Sequence, residues 1–180
     1  AYRRATITGR GALEIATTAL PSAAPKEIRV RVADLLKPDS VIAELRGADK
    51  RQVLRELARR AAPLVNIPEM TVHAALLARE RLGSTGVGAG VAIPHARIPG
   101  LSAPHGLFAR LARPITFDAI DGQPVDLIFL LLVPEGAGSD HLAALACVSR
   151  TLRNPATAKL LRGSTDAAAL HAILTETRDD

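Results

Sequence analysis

Residues 125–133 read Val-Asp-Leu-Ile-Phe-Leu-Leu-Leu-Val and form the most apolar strand-like run of the chain. The hydrophobicity of this run is nearly continuous, whereas a strand with one solvent-exposed face alternates apolar and polar residues. The run therefore predicts a strand that is buried on both faces. Because helical patterns precede and follow it, the sequence favours a layered α/β sandwich in which helices cover the sheet.

Helical periodicity is found on both sides of this strand. Five helices are predicted, with N-caps or first residues at Asp49, Glu69, Asp140, Asn154 and Asp166. Pro63 and Pro68 are predicted to bracket the break between the first two helices, because proline does not continue a helix interior. Residues 32–36 are predicted to form a short helical turn that stops before Pro38.

Further strands are expected around the central one. They are predicted at residues 40–45, 87–93 and 106–112, and residues 114–122 are predicted to form a turn-rich connector. The 180 residues suit one domain with a largely aliphatic core, since 48% of them are hydrophobic and only 2% are aromatic. The sequence shows no internal repeat and no second core.

Charge and aromatic content limit the classes of partner. The chain has 23 Lys and Arg residues against 18 Asp and Glu residues, which gives a net charge of +5. This surplus fits anionic partners such as phosphate, and it fits an ordinary protein of an arginine-rich proteome equally well. The low aromatic content argues against a reader of single-stranded nucleic acid, and no dense basic block indicates DNA binding. No nucleic-acid partner is therefore expected.

Cysteine usage and hydropathy indicate the compartment. Cys147 is the only cysteine and lies in an apolar helical run, which predicts a small buried residue in a reducing compartment, the cytoplasm. No stretch of about 20 apolar residues occurs, so no membrane insertion is expected. Residues 1–27 have a basic start, but Arg10 and Glu14 interrupt any apolar core of a targeting peptide. They are interpreted as a disordered N-terminal extension.

The most informative motif is the run at residues 84–97, Ser-Thr-Gly-Val-Gly-Ala-Gly-Val-Ala-Ile-Pro-His-Ala-Arg. Its glycines fail the dinucleotide-binding fingerprint, because Val91 occupies the third glycine position, and no Gly-Lys-Ser/Thr follows as in a P-loop. A glycine-containing strand with close backbone approach is the structural alternative. Pro94 holds the backbone before His95 rigidly, and a neutral imidazole in that position could accept a phosphoryl group.

Other residues could complete a phosphoryl site around this histidine. The Ser84 and Thr85 hydroxyls and the Gly86 amide are suitable donors to phosphate oxygens. His141 is expected in the first turn of a helix, where anions are favoured, and Arg79 in the last turn of another helix could reach the phosphate. The structural alternatives are that His141 only faces solvent and that Arg79 only complements a helix C-terminus.

Three aspartates close together in sequence could suggest metal ligands. Asp118, Asp121 and Asp126 lie in a Pro- and Gly-rich setting that lacks the spacing of a calcium-binding loop. Turn formation explains them better. The sequence therefore predicts no metal site.

The run from Arg79 to His95, Arg-Glu-Arg-Leu-Gly-Ser-Thr-Gly-Val-Gly-Ala-Gly-Val-Ala-Ile-Pro-His, resembles the phosphorylation-site signature of the enzyme IIA proteins of the fructose–mannitol class. These proteins belong to the bacterial phosphoenolpyruvate-dependent phosphotransferase system. Residues 117–134 and residues 140–145 are most similar to the nitrogen-regulatory branch of that class. The resemblance assigns a type-2 enzyme IIA domain to residues 28–177 and leaves residues 1–27 outside it.

The resemblance implies a three-layer α/β/α sandwich with a mixed β-sheet. It also implies that His95 is transiently phosphorylated by a histidine phosphocarrier protein, with Arg79 and His141 as the matching active-site residues and without a cofactor. On this interpretation the chain is a phosphocarrier of the phosphotransferase system. It would regulate partners such as potassium transporters or sensor kinases according to its phosphorylation state.

Two other functions remain open. A sugar-specific IIA subunit would pass its phosphoryl group to a separate IIB protein, and a binding module would keep the fold without being phosphorylated. The chain has no membrane span, and Cys147 lies in a helical run rather than in the strand-end loop of a IIB phosphocysteine. These features favour a free-standing regulator. The joint presence of His95, Arg79 and His141 disfavours the unphosphorylated module.

Overall fold

The computed structural model describes residues 30–176. The helices within this range are α1 Val32–Leu35, α2 Lys50–Val65, α3 Glu69–Arg81, α4 Asp140–Arg153, α5 Pro155–Gly163 and α6 Ala167–Glu176. The strands are β1 Leu36–Leu45, β2 Gly86–Gly88, β3 Val91–Ala92, β4 His95–Ile98, β5 His105–Ile115 and β6 Val125–Pro134. The predicted extension at residues 1–27 lies outside the described residues.

The strands form one mixed sheet around β6. Their order is β1-β5-β6-β3-β2, and β4 also pairs with β6, beyond β3 along the strand. β6 runs antiparallel to β5 and parallel to β3 and β4, while β1 is parallel to β5. Helices α2 and α3 cover one face of the sheet, and α1, α4, α5 and α6 cover the other. The predicted three-layer α/β/α sandwich is confirmed.

The central strand β6 is buried on both faces, as its sequence predicts. Ile128, Leu130 and Leu132 pack under α2 and α3, while Leu127 and Phe129 face the opposite helices. Each of these side chains is fully buried. Burial of apolar surface at about 25 cal/mol per Å² makes this strand a main source of stability. Cys147 of α4 is also buried in the second of these cores, as predicted.

The predicted strand at residues 87–93 is wrong, because it is two antiparallel strands, β2 and β3. Ala89 and Gly90 connect them with φ values of 55° and 76°. Two successive residues with positive φ make the tight turn of a β-hairpin rather than an extended strand. The Asp121 carboxylate accepts from the Ala89 amide at 2.8 Å, and Arg162 donates to the Ala89 carbonyl at 2.9 Å. These contacts hold the turn.

Some predicted boundaries also need correction. Pro63 does not end the first long helix, since α2 continues to Val65 and ends at Asn66 in the left-handed conformation. Pro38 lies inside β1, an edge strand, in the stretch between Leu36 and Val41 where the register with β5 is irregular, as is typical of proline in a sheet. Asp140 is the first residue of α4 and not its cap, because Ser139 occupies the N-cap position, without a capping hydrogen bond from its side chain. The caps predicted at Asp49 and Asn154 are confirmed.

Gly106 provides a test of packing between β5 and β6. A Cβ at this position would lie 2.6 Å and 2.7 Å from two atoms of the Phe129 ring and 3.2 Å from the Leu35 carbonyl oxygen. Gly106→Ala is therefore expected to lower the free energy of unfolding by about 1–3 kcal/mol, because the ring must move inside a packed core. Urea unfolding measures this change.

Gly136→Ala is the matched control for that substitution. A Cβ there meets nothing within 4 Å, so its effect is expected to stay within about 0.5 kcal/mol. Equal stability of the two variants would contradict the packing described for Phe129.

No helix among residues 30–176 is both long enough and apolar enough to cross a membrane.

Candidate functional site

His95 is the first residue of β4, at the edge of the sheet. Its backbone is held by β6. The Leu131 amide donates to the Pro94 carbonyl at 2.9 Å, and His95 lies opposite Leu131 in the parallel pair of β4 and β6. Side chains alternate along the strand, so Ala96 enters the core under α3 while His95 and Arg97 share the other face. The imidazole is therefore presented by a rigid strand.

Two hydrogen bonds determine the tautomer of His95. Nδ1 lies 2.9 Å from the Ile93 carbonyl oxygen, which can only accept, so Nδ1 carries the proton. Arg79 Nε donates to His95 Nε2 at 3.0 Å. Because a guanidinium N–H can only donate, Nε2 is the unprotonated nitrogen. Both contacts thus select one neutral tautomer, with the Nε2 lone pair directed toward a cation.

Arg79 reaches His95 from the last turn of α3. Its Nη1 donates to the Gly83 carbonyl at 2.9 Å, just past the end of the helix. This second contact orients the guanidinium. Because Arg79 lies in the last turn of α3, its charge also complements the helix C-terminus, so the two interpretations of Arg79 are compatible.

His141 approaches from the first turn of α4. Its Nδ1 lies 2.8 Å from the Gly138 carbonyl oxygen, so this nitrogen carries a proton. An Arg97 Nη2 atom lies 3.5 Å from the same nitrogen, but both atoms are then donors, so this is a close approach and not a hydrogen bond. The shorter contact orients the ring. Arg97 is otherwise exposed, and its Nη1 donates to the Glu135 carbonyl at 3.4 Å.

These four side chains line one cavity of about 400 Å³. Its other lining residues are apolar, and they come from α3, β4, β6 and α4: Ala75, Ala78, Leu82, Ala96, Leu131, Val133 and Leu145. The polar lining thus consists of two guanidinium groups and two imidazoles, and no carboxylate is among the described lining residues. A cavity with apolar walls and cationic side chains concentrates positive potential and suits an anion such as a phosphoryl group.

A larger open groove of about 590 Å³ lies at the N-terminal end of α2. It is lined by residues of β1, α2 and β5 and their connections, including Glu44, Arg46 and Arg113. Arg46 already pairs with Glu44 at 3.0 Å. The groove contains no histidine, so it lacks the nucleophile that distinguishes the His95 cavity.

The environment of His95 favours its neutral form. Burial of the ring lowers the pKa of His95, and the charges of Arg79 and His141 act in the same direction. The hydrogen bond to Ile93 and the charge of Glu80 oppose this shift only in part. A neutral imidazole is the nucleophilic form, so the site keeps its nucleophile available at and below neutral pH.

An NMR titration tests this electrostatic description. The midpoint for the His95 ring is expected below the ordinary value of about 6.5, because burial of the ring lowers its pKa. Arg79→Gln is expected to raise the midpoint, because a positive charge that opposes protonation is removed. A midpoint at or above 6.5 in the unsubstituted protein would contradict the burial described for the ring.

The three residues predicted to bind phosphate are placed differently. Ser84, Thr85 and Gly86 do not line the His95 cavity. The Ser84 hydroxyl donates to the Phe117 carbonyl at 2.7 Å, and the Gly86 amide donates to the Ser84 hydroxyl oxygen at 3.1 Å. Thr85 uses both its amide and its hydroxyl as donors to Glu80. Phosphate binding by these three residues stays a prediction, since their donors already bind the Phe117 carbonyl, the Ser84 hydroxyl and the Glu80 carboxylate.

Arg97 is the cavity residue that the sequence analysis missed. Strand alternation is the signal that could have found it, because residues i and i+2 of a strand share a face. Arg97 follows His95 by two positions on β4 and therefore points to the same side. A second guanidinium beside the histidine doubles the positive charge available to an anion.

The sequence matches one protein family, described as phosphoenolpyruvate-dependent sugar phosphotransferase system, EIIA 2, over residues 34–177. The chain belongs to this family. A nitrogen regulatory protein of Bradyrhizobium diazoefficiens is 53% identical over 143 residues, which cover 79% of this chain and 94% of that relative. The crystal structure of nitrogen regulatory protein IIA-Ntr from Neisseria meningitidis matches this structure with a TM-score of 0.76 and 35% sequence identity. The match covers 80% of this chain and 99% of the Neisseria chain.

The chain is also similar to a component named for sugar transport. A fructose-specific EIIA component of Haloferax volcanii is 50% identical over 78 residues, which cover 43% of this chain and 51% of the relative. The nitrogen regulatory relatives match over a much larger share of the chain. The predicted resemblance to the type-2 enzyme IIA proteins, nitrogen-regulatory branch, is therefore confirmed.

Proposed function

We propose that this chain is a phosphoryl carrier of a nitrogen-type phosphotransferase system, with His95 as the residue that accepts the phosphoryl group. The observation that carries this proposal is the unprotonated Nε2 of His95, which faces a cavity lined by Arg79 and Arg97. The donor is a histidine phosphocarrier protein, which is charged from phosphoenolpyruvate by enzyme I. The cytoplasm is the compartment in which these proteins would meet.

The proposed transfer exchanges one phosphorus–nitrogen bond for another. The Arg79 N–H first releases the lone pair of His95 Nε2, which then forms the new bond to phosphorus, and the bond to the donor histidine breaks with its electron pair returning to the donor ring. The proton on His95 Nδ1 remains in place and keeps its hydrogen bond to the Ile93 carbonyl, which stabilises the positive charge that develops on the ring. No proton has to leave His95 during the step, so the site needs no separate base.

The cations of the cavity have a direct role in this step. Charge on the three equatorial phosphoryl oxygens must be stabilised while the two nitrogens are only loosely bonded to phosphorus. Arg79 must release Nε2 for the attack, but its contact with Gly83 keeps the guanidinium beside the ring, where its N–H groups can donate to the phosphoryl oxygens. Arg97 provides a further positive group among the side chains that line the cavity.

Apolar residues at the cavity rim fit a docking partner. Leu82 and Leu142 are 85% and 61% exposed, at the end of α3 and in the first turn of α4. Exposed leucines beside a functional cavity are typical of a protein-binding surface. Phosphorylation would add about two negative charges to the centre of this surface, which changes the partners that it can bind. Potassium transporters and sensor kinases are the regulated partners that we propose.

The domain boundaries are part of the same proposal. We assign the phosphoryl-carrier domain to residues 28–177, in agreement with the family match at residues 34–177. Residues 1–27 are proposed to be an extension that the transfer does not require.

Intact-mass measurement tests the proposed activity. The protein is incubated with phosphoenolpyruvate, enzyme I and the phosphocarrier protein, and the mass is followed with time. One phosphoryl group is expected, and it is expected to be lost on mild acid treatment because a phosphorus–nitrogen bond is acid-labile. A protein that stays unmodified, while the phosphocarrier in the same mixture is phosphorylated, would contradict the proposal.

The second candidate function is a sugar-specific IIA subunit. The similarity to a fructose-specific component over 78 residues favours it, although that match covers less than half of this chain. Such a subunit would pass its phosphoryl group rapidly to the cysteine of a fructose-type IIB protein. Incubation of the phosphorylated chain with a purified IIB protein separates the two functions, because a nitrogen-type regulator is expected to keep its phosphoryl group.

A further inference from the structure

A buried carboxylate lies next to the cavity without lining it. Glu80 follows Arg79 on α3, and its side chain is only 8% exposed. Its oxygens accept from three donors: the Lys50 ammonium at 2.6 Å, the Thr85 amide at 3.0 Å and the Thr85 hydroxyl at 2.6 Å. A buried charge is stable only when it is paired and hydrogen-bonded, and short charge-assisted bonds are the strong ones. Glu80 therefore anchors Thr85 firmly.

Thr85 in turn supports the backbone that contacts the imidazole. The Ile93 amide donates to the Thr85 carbonyl at 2.9 Å, and the Ile93 carbonyl accepts from His95 Nδ1 at 2.9 Å. A continuous series of hydrogen bonds thus connects Lys50 and Glu80 with the protonated nitrogen of His95. Networks of this kind stabilise a single arrangement more than isolated bonds do.

The same anchor also closes the turn that supports Arg79. Arg79 donates to the Gly83 carbonyl, and Gly83 lies between Glu80 and Thr85 in the chain. The carboxylate therefore joins the end of α3 to the start of β2 across this turn. Lys50 is itself held in place beside Glu80, because its ammonium also contacts Asp118 at 3.1 Å and lies 4.9 Å from the centre of the Phe117 ring.

We propose that Glu80 is a positioning residue that selects the tautomer of His95. By anchoring Thr85, it places the Ile93 carbonyl where it accepts the Nδ1 proton, and this leaves Nε2 unprotonated toward Arg79. Which ring nitrogen carries the proton is set by the hydrogen bond at the other nitrogen. The kinetic consequence of this role rests on the proposed phosphoryl transfer, whereas the tautomer itself can be measured without it.

Glu80→Gln is the variant that tests the proposal. Both carboxylate oxygens of Glu80 accept hydrogen bonds, whereas a glutamine side chain has only one oxygen that accepts and an NH2 group that donates. Nitrogen NMR of the ¹⁵N-histidine-labelled protein at neutral pH is expected to show Nδ1–H alone in the unsubstituted chain and a mixture of tautomers in the variant. The rate constant for transfer from the phosphorylated phosphocarrier is expected to fall by roughly 10- to 100-fold. The KM for that carrier is expected to stay the same, since Glu80 lies outside the cavity.

Asp126→Asn is the matched control. Its carboxylate accepts two hydrogen bonds from Arg162 at 2.7 Å and is 21% exposed, but neither residue lines the cavity. Loss of this ion pair is expected to change neither the tautomer nor the rate constant. If Glu80→Gln does not fold, Thr85→Val removes the hydroxyl donor to the same carboxylate and is expected to shift the tautomer in the same direction.

Three results separate the outcomes. A folded Glu80→Gln protein that keeps Nδ1–H alone would overturn the proposal, whether or not its rate constant changes. A tautomer mixture in Asp126→Asn would overturn it as well, because any lost ion pair would then have the same effect. If the unsubstituted chain accepts no phosphoryl group, the proposed function fails, while the tautomer comparison still decides the role of Glu80.

Discussion

His95→Ala is expected to abolish phosphoryl acceptance completely. The proposed nucleophile would be lost, and the second imidazole of the cavity, that of His141, is not proposed as an acceptor. The cationic groups could still attract an anion but could form no bond to phosphorus. Intact mass after incubation with phosphoenolpyruvate, enzyme I and the phosphocarrier protein should therefore equal that of the untreated variant.

Two further histidine variants make this result specific. His171 lies on α6 and contacts the Leu36 carbonyl, away from the cavity, so His171→Gln is expected to accept the phosphoryl group at the ordinary rate. His141→Ala is expected to accept it more slowly but to the same final extent. A His95→Ala protein that still gains an acid-labile phosphoryl group would show that another residue is the carrier.

Arg79→Gln is expected to lower the rate constant of phosphoryl transfer by roughly 100-fold or more, the usual cost of losing a preorganised donor to a charged transition state. The variant loses the cation at Nε2 and weakens the contact with Gly83. Arg79→Lys keeps the positive charge but lacks the several N–H donors of a guanidinium. Its rate constant is therefore expected to lie between those of the unsubstituted protein and Arg79→Gln. Rapid-quench measurement of transfer from the phosphorylated carrier gives these values.

Arg81→Gln is the control for the Arg79 series. Arg81 lies in the same last turn of α3, is exposed and does not line the cavity. Its substitution is expected to change the rate constant by no more than about twofold, because an exposed charge is screened by solvent and salt. Equal slowing by both substitutions would mean that general charge, and not the contact with His95, explains the effect.

The part of the fold that was easiest to predict is the central strand, because a strand buried on both faces has a nearly continuous apolar sequence. Residues 125–133 predicted the central strand correctly, because each of its faces packs against helices and no polar alternation survives. The error at residues 87–93 has a non-local cause. The turn at Ala89 is held by Asp121 and Arg162, which are 32 and 73 residues away in sequence. The conformational propensities of residues 87–93 cannot indicate contacts with residues so distant in sequence.

The candidate site shows the same division between local and non-local information. His95 and Arg79 could be singled out because proline, glycine and a helix end surround them in one continuous motif. Arg97 was recoverable from strand alternation. The role of Glu80 was not, because it depends on Lys50, which lies on another helix and carries no motif of its own. The hydroxyls of Ser84 and Thr85 were predicted to bind phosphate because their acceptors, the Phe117 carbonyl and the Glu80 carboxylate, could not be known from the sequence.

The most direct test of the account is the position of the phosphoryl group on the phosphorylated protein. NMR of ¹⁵N-histidine-labelled protein reports phosphorus–nitrogen coupling at the modified ring nitrogen. A single phosphoryl group is expected on Nε2 of His95, with the proton retained on Nδ1 toward the Ile93 carbonyl. A phosphoryl group on Nδ1 of His95, or on His141, would contradict it.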